Sequence, residues 1–279
     1  MLRPTEQSAL RTIFETGGGS ISVTTDDPTV AAIVRGLFPE YRVTTSGHGA
    51  ITSYGVTGSP DNTWIVEGLE QGQLRSFGSL EAAIADLEFA LTTDILGSFP
   101  DHLHLHASGA VKGNSAILAT GPSGSGKSSI GLWWSVNGYP VTGDDIALID
   151  ERCRVTPFKR LFKVQAGVLE SANLDPSDSL CWKVGDSEAW FDPLTAGGWS
   201  DTAAVSVVAA VHFSPGANLS VKPLSKSSAL KVLLAGVMES GRSREESFDT
   251  LLQLAQTVQC VEVHFGNARE AAVAIVALA

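Results

Sequence analysis

The 279-residue chain is short of several things, and each shortage closes a class of function. Cysteine occurs three times, at Cys153, Cys181 and Cys260, with no CxxC pair. An odd, widely spaced set offers neither a disulfide framework nor a zinc ribbon, and implies reduced thiols in a cytoplasmic protein. Basic charge is scarce: 19 Lys and Arg against 30 Asp and Glu leave a net charge of −11. Such a chain lacks the basic face that nucleic-acid backbones require, and anionic membrane surfaces repel it. Long apolar runs are missing too. The stretch Ala271–Ala279 is too short to span a bilayer, which takes about 20 residues, and the opening Met-Leu-Arg-Pro-Thr-Glu carries no apolar signal run. The expectation is a soluble cytoplasmic protein that binds neither nucleic acid nor membrane.

What is present is an ordinary globular mix, with 43% hydrophobic and 18% charged residues and enough length for one large or two small domains. Gly17-Gly18-Gly19 makes residues 1–19 a loose lead-in. Asp26-Asp27-Pro28 ahead of Val30, Ala31, Ile33, Val34 and Leu37 gives a cap, a first-turn proline and helical spacing. Runs at 41–45, 50–56, 63–67 and 73–77, separated by turn formers, read as a small antiparallel meander. Ser79 and Glu81 open a second helix that stops near Gly97 and Pro100. The texture changes there, which divides the chain into a small N-terminal α+β domain over 1–97 and a catalytic domain over 98–279. In the latter, 103–111 alternates, 115–120 is an apolar strand, 128–136 a helix, and 139–142 and 146–149 strands. That order is an α/β nucleotide-binding core. The polar stretch 171–201 holds few periodic cues; Trp182, Trp190 and Trp199 in and near it read as packing rather than as an adenine shelf. Further strands fall at 205–213, 220–223 and 261–265, and helices at 227–239, 247–256 and 268–279.

The strongest chemical signal is Gly121-Pro122-Ser123-Gly124-Ser125-Gly126-Lys127-Ser128, a GxxxxGK[ST] phosphate-binding loop between a strand and a helix. The glycines let backbone N–H groups turn inward on phosphate oxygens, Lys127 reaches the β- and γ-phosphates, and Ser128 offers a hydroxyl to Mg²⁺. The helix beginning with Ser128 and Ser129 adds its positive end. ATP and Mg²⁺ are the implied cofactors. Asp144-Asp145 stands at the end of the next strand. One carboxylate there can hold Mg²⁺ and the other can take a proton from an attacking hydroxyl; side by side they repel, which raises the pKa of one. His102, His104 and His106 share one face if their segment is a strand. Same-face neighbours on one strand lie about 7 Å apart, awkward for a single zinc ion, so His102 and His104 read as polar-face residues. His106 is set apart because it leads into the loop. Lys159, Arg160 and Lys163 are basic, and Arg160 or Lys163 is a candidate to neutralise transferred phosphate.

The segment from His106 through Ser129, with Gly143-Asp144-Asp145 beyond it, resembles the catalytic domain of HPr kinase/phosphorylase. The resemblance covers about 106–150. It implies an α/β fold with a phosphoenolpyruvate carboxykinase-like P-loop core, a mixed sheet with flanking helices. It further implies Asp144 as the base that deprotonates an acceptor serine, Asp145 as a Mg²⁺ ligand with Ser128, and His106 beside Asp144 as the group that orients it. The partner would be a protein or peptide bearing that serine, and the family's tendency toward hexamers implies a homo-oligomer. Ser129 stands where HPr kinases carry a glutamate, and the Glu-Leu/Ile-Arg-Gly segment of that family is absent. The Gly-Pro-Ser-Gly loop and short N-terminal region look more like the HPr-kinase-related proteins of bacterial biosynthetic clusters, some of which phosphorylate the terminal serine of lasso-peptide precursors. A small-molecule kinase on the same core, and a nucleotide-binding regulatory protein without transfer chemistry, are the other readings these residues admit.

Overall fold

A computed structural model of the chain describes residues 9–17, 19–43, 50–68, 72–172, 174, 181–184 and 188–279. The chain is mixed α/β and forms two compact units, Met1–Phe99 and Pro100–Ala279. No helix among the described residues is long and apolar enough to cross a membrane.

Among the described residues, the first unit is a six-stranded sheet with two α-helices. Strands β1 (Leu10–Thr16) and β2 (Gly19–Thr25) pair as a hairpin from Leu10↔Thr25 to Thr16↔Gly19. Within the segment 1–19, expected to be a loose lead-in, Leu10–Thr16 is therefore a strand; residues 1–8 and 18 lie outside the described residues. Helix α1 (Pro28–Leu37) starts as its sequence requires, with the Asp27 carboxylate accepting from the N–H groups of Thr29 and Val30. Then come β3 (Arg42–Val43), β4 (Ala50–Gly58), β5 (Trp64–Gly68), β6 (Gln73–Phe77) and α2 (Leu80–Leu96), the last capped by the Ser79 hydroxyl. The sheet order is β3-β1-β2-β4-β5-β6. Only β4-β5-β6 form the expected antiparallel meander. β3 pairs with β1, and β4 lies parallel to β2 because α1 carries the chain across the sheet.

The second unit opens with β7 (Leu103–Leu105), β8 (Ala107–Lys112) and β9 (Ser115–Thr120), followed by α3 (Lys127–Val136), β10 (Val141–Gly143), β11 (Ala147–Ile149) and β12 (Arg154–Pro157). A small three-stranded sheet contains β13 (Phe162–Gln165), β14 (Cys181–Val184) and β15 (Glu188–Phe191), with α4 (Ala166–Ser171) beside it. The chain then forms β16 (Ala203–Phe213), β17 (Ser220–Pro223), α5 (Lys226–Ala235), α6 (Arg244–Thr257), β18 (Gln259–Phe265) and α7 (Ala268–Val276). Nine strands make the main sheet. β16 is its centre, parallel to β9 on one side and to β18 on the other, and the remaining pairings are antiparallel.

The apolar pattern explains the layering. Ile117 and Ala119 of β9 and Val207, Ala209 and Val211 of β16 pack toward α3 and α7. Ala116, Leu118, Val205 and Val208 pack toward α5 and α6. Strands covered on both faces read as continuous apolar runs, as Ser115–Thr120 and Ala203–Phe213 do. Trp134 ties α3 to α7 through its indole N–H to the Ala272 carbonyl, 3.0 Å. Gly131 lets α3 press onto β8: a Cβ there would lie 2.0 Å from the Ser108 hydroxyl oxygen. Cys153 and Cys260 are buried and unbridged, and burial pushes the Cys153 thiol up to about 11.

The alternating segment 103–111 is two strands rather than one. β7 pairs with β11, while β8 pairs with β9 and β10. His106 lies in the break, where its N–H donates to the Gly236 carbonyl at 2.7 Å. The three histidines therefore share no strand face. His104 is buried within β7 rather than presented to solvent.

Candidate functional site

The site gathers where β9 and β10 end. Thr120, the last residue of β9, is paired with Ala107, and its hydroxyl donates to the His106 carbonyl at 3.0 Å. The loop Gly121–Gly126 follows, and α3 begins at Lys127. Gly126 is the N-cap residue, with φ of 93°, in the left-handed region that favours glycine. A Cβ at Gly126 would lie 2.6 Å from the Phe265 ring. Backbone strain and steric conflict act together there, so Gly126→Ala is expected to cost about 1–3 kcal/mol of stability. A urea titration reads this as a lower midpoint at unchanged slope. Capping preference acts in the same direction, because glycine is favoured over alanine at an N-cap, so a raised midpoint would contradict both effects.

Lys127 is 4% exposed and folds back on its own loop. Its ammonium donates to the carbonyls of Gly121 at 2.9 Å and Pro122 at 3.0 Å. Burial lowers its pKa, against the opposing pull of Asp145 and Asp144. Pro122, Ser123 and Gly124 at the tip are exposed, Ser125 is buried, and Ser128 and Ser129 are half-buried in the first turn of α3.

β10 delivers the aspartates. It pairs with β8 through Val141↔Ala110 and Gly143↔Gly109, with a register shift between. The Ser108 hydroxyl donates to the Gly143 carbonyl at 3.2 Å, which fixes the residue before Asp144. Asp144 is 3% exposed. One of its oxygens accepts from the Arg160 guanidinium at 3.3 Å and the other from the Lys163 backbone N–H at 3.0 Å. Burial is the dominant influence and pushes its pKa up to about 6; Arg160 pulls it down, Asp145 pushes it up, and the Lys163 N–H pulls it down. Asp145 is 36% exposed; it meets His106 Nδ1 at 3.2 Å and lies 4.0 Å from Arg160. Burial lowers the His106 pKa, Lys127 and Arg160 lower it further, and Asp145 opposes them.

His106, Lys127, Asp144, Asp145 and Arg160 thus form one cluster of titratable groups at the loop. One expected pairing differs: the His106 imidazole meets Asp145, not Asp144. The outward half of the aspartate pair faces the half-exposed imidazole, while the inward half is taken by Arg160 and the β13 backbone. Of the two basic candidates, Arg160 uses its guanidinium on Asp144, and Lys163 uses its main-chain N–H. Trp190 is buried and Trp199 stacks edge-on against Phe162 at 6.1 Å. A separate cleft beside Gly113 and Asn114, lined by Pro140, Arg154 and Trp199, lies at the hairpin end of β8 and β9, away from the loop.

Sequence reasoning passed over one further cluster, His212, Glu262 and His264 on β16 and β18. Its signal was available: the tripeptide Val-His-Phe occurs at 211–213 and again at 263–265, each closing a strand. No protein-family model matches the chain, and a search of curated proteins returns no match.

Proposed function

We propose that the chain is an ATP-dependent kinase that moves the γ-phosphoryl group to a serine hydroxyl of a protein or peptide, on a phosphoenolpyruvate carboxykinase-like P-loop core. The observation that carries this reading is Asp144. A carboxylate buried beside a phosphate loop, with its pKa raised to about 6, sits near the pH at which a general base works best. The acceptor hydroxyl gives its proton to Asp144 as its oxygen bonds to the γ-phosphorus; the bond to the β-phosphate bridging oxygen breaks and ADP departs. Lys127 leaves the Gly121 and Pro122 carbonyls for the β- and γ-phosphates, and the N–H groups of the loop hold the remaining phosphate oxygens. The Ser128 hydroxyl and the Asp145 carboxylate are hard oxygen donors and fit Mg²⁺. When bound, Mg²⁺ neutralises charge on the β- and γ-phosphate oxygens. His106 fixes the orientation of Asp145, and Arg160 holds Asp144 and tunes it.

The exposure of Asp145 favours a second assignment in which the two aspartates exchange roles. The pH dependence separates them. Arg160 is the strongest influence holding the Asp144 pKa down. If Asp144 is the base, Arg160→Met moves the acidic limb of the turnover profile to higher pH. An unmoved limb removes Asp144 from the role of base.

The reaction itself is tested with γ-labelled ATP and serine-bearing peptides, among them precursors with a C-terminal serine. Label retained on serine supports the proposal. ATP consumption that responds only to small hydroxyl compounds points to a small-molecule kinase. Nucleotide affinity without turnover points to a regulatory protein.

A further inference from the structure

β16 and β18 end on the same tripeptide, and parallel register sets His212 against His264 and Phe213 against Phe265. Successive side chains of a strand face opposite ways. The phenylalanines turn toward the α3 side, where Phe265 packs in the core beneath Gly126. The histidines turn to the other face and stack, with ring centroids 4.7 Å apart at 16°. Glu262 precedes His264 by two residues and shares its face. Its Oε1 lies 3.5 Å from His212 Nε2, and its Oε2 lies 3.4 Å from His264 Nε2. The three side chains are 39%, 37% and 48% exposed in the order His212, Glu262, His264, so an ion can reach them from solvent.

We propose that His212, Glu262 and His264 bind a divalent transition-metal ion of the zinc class, at a site separate from the nucleotide and its Mg²⁺. The three ligand atoms all lie within 4.8 Å of one another. Ligands about 2.0–2.2 Å from a tetrahedral ion stand about 3.3 Å apart; each imidazole already lies near that separation from one oxygen of Glu262, His212 from Oε1 and His264 from Oε2, and small side-chain rotations bring both onto one ion. The geometry follows from pairing across strands. Neighbouring strands are about 4.8 Å apart, whereas same-face residues on one strand are about 7 Å apart. That difference brings His212 and His264 together across the pair, and the Glu262 side chain is long enough to reach both. Two imidazoles with one carboxylate select nitrogen-preferring ions over Mg²⁺, and three protein ligands leave a coordination position for water. Lys222 on β17 is in register with Glu262, and Ser220 is in register with His264. That register carries Lys222 on the same face, where its positive charge opposes an incoming cation and weakens the site.

The test is a Zn²⁺ titration of the full chain by calorimetry with excess Mg²⁺ present, paralleled by Co²⁺ titration followed by visible absorption. One ion per chain is expected, with ligand-field absorption for Co²⁺. Replacing groups that merely support metal ligands costs about 10–100-fold in affinity, so His212→Ala and His264→Ala should each cost at least about tenfold. Glu262→Gln weakens binding as well, and Lys222→Ala tightens it, a gain that misfolding cannot produce. Absence of binding at about millimolar Zn²⁺, where an interaction is worth only about 4 kcal/mol, overturns the proposal. So does unchanged binding by the His212→Ala/His264→Ala double variant. These residues lie outside the proposed kinase site, so either outcome leaves the kinase reading where it stands.

Discussion

Asp144→Asn is expected to lower turnover by about 10²–10⁴-fold, the range for loss of a positioned general base, with MgATP affinity nearly unchanged. The amide keeps the shape of the carboxylate and can still accept from the Lys163 N–H, which reaches Asp144 at 3.0 Å. What it cannot do is take a proton from a hydroxyl. Turnover of the unchanged protein should rise with pH through about 6, where Asp144 loses its proton, and that limb should vanish in the variant. Stability gives a second readout, independent of any substrate. The Asp144 pKa is raised from 3.8 to about 6 on folding. The native chain therefore holds a proton that the unfolded chain has already released across that interval. The contribution is fully present below about 3.8 and is lost as pH rises toward 6. Urea midpoints of the unchanged protein should fall across this window, and Asp144→Asn should flatten the fall. Turnover within a few-fold of the unchanged protein would remove Asp144 from the chemistry.

How much of this was legible in the sequence depends on how local each signal is. The Gly121–Ser128 loop was readable because its signature is a backbone shape, and left-handed positions such as Gly124 and Gly126 show directly as glycines. The adjacency of Asp144 and Asp145 was readable for the same reason. Their surroundings were not, because they are set from a distance: Arg160 and the backbone of Lys163 hold one carboxylate, and His106 meets the other. The pairing of His106 depends on how β7 and β8 part company, and partner choice is a non-local property that alternation cannot report. Leu10–Thr16 was lost for a related reason: three glycines look like slack chain unless the strands on both sides are known to pair. The His212, Glu262 and His264 cluster was the opposite case. The repeated Val-His-Phe was in plain view, but its meaning needed the parallel register that sets His212 beside His264.

Lys127→Ala is expected to weaken MgATP binding by about 10²–10³-fold. Hydrogen bonds to charged groups contribute about 1.5–3 kcal/mol each, and two phosphates lose a cationic donor, which would suggest about 3–6 kcal/mol. The gross figure overstates the loss. Without nucleotide the ammonium already donates to the carbonyls of Gly121 and Pro122, so binding exchanges two hydrogen bonds to neutral acceptors for two to anions. The net difference, about 3–4 kcal/mol, corresponds to the stated range at about 1.4 kcal/mol per tenfold. Truncation also strips both loop carbonyls of their donor, and a loosened loop would weaken every ligand. AMP separates the two effects, because it lacks the phosphates that Lys127 reaches. Calorimetry should show AMP affinity nearly unchanged while MgATP affinity collapses; equal losses for both would make Lys127 a brace for the loop rather than a phosphate ligand. Lys127→Arg should not rescue binding. The side chain is 4% exposed, and the planar guanidinium is too broad for a space shaped to a slender ammonium.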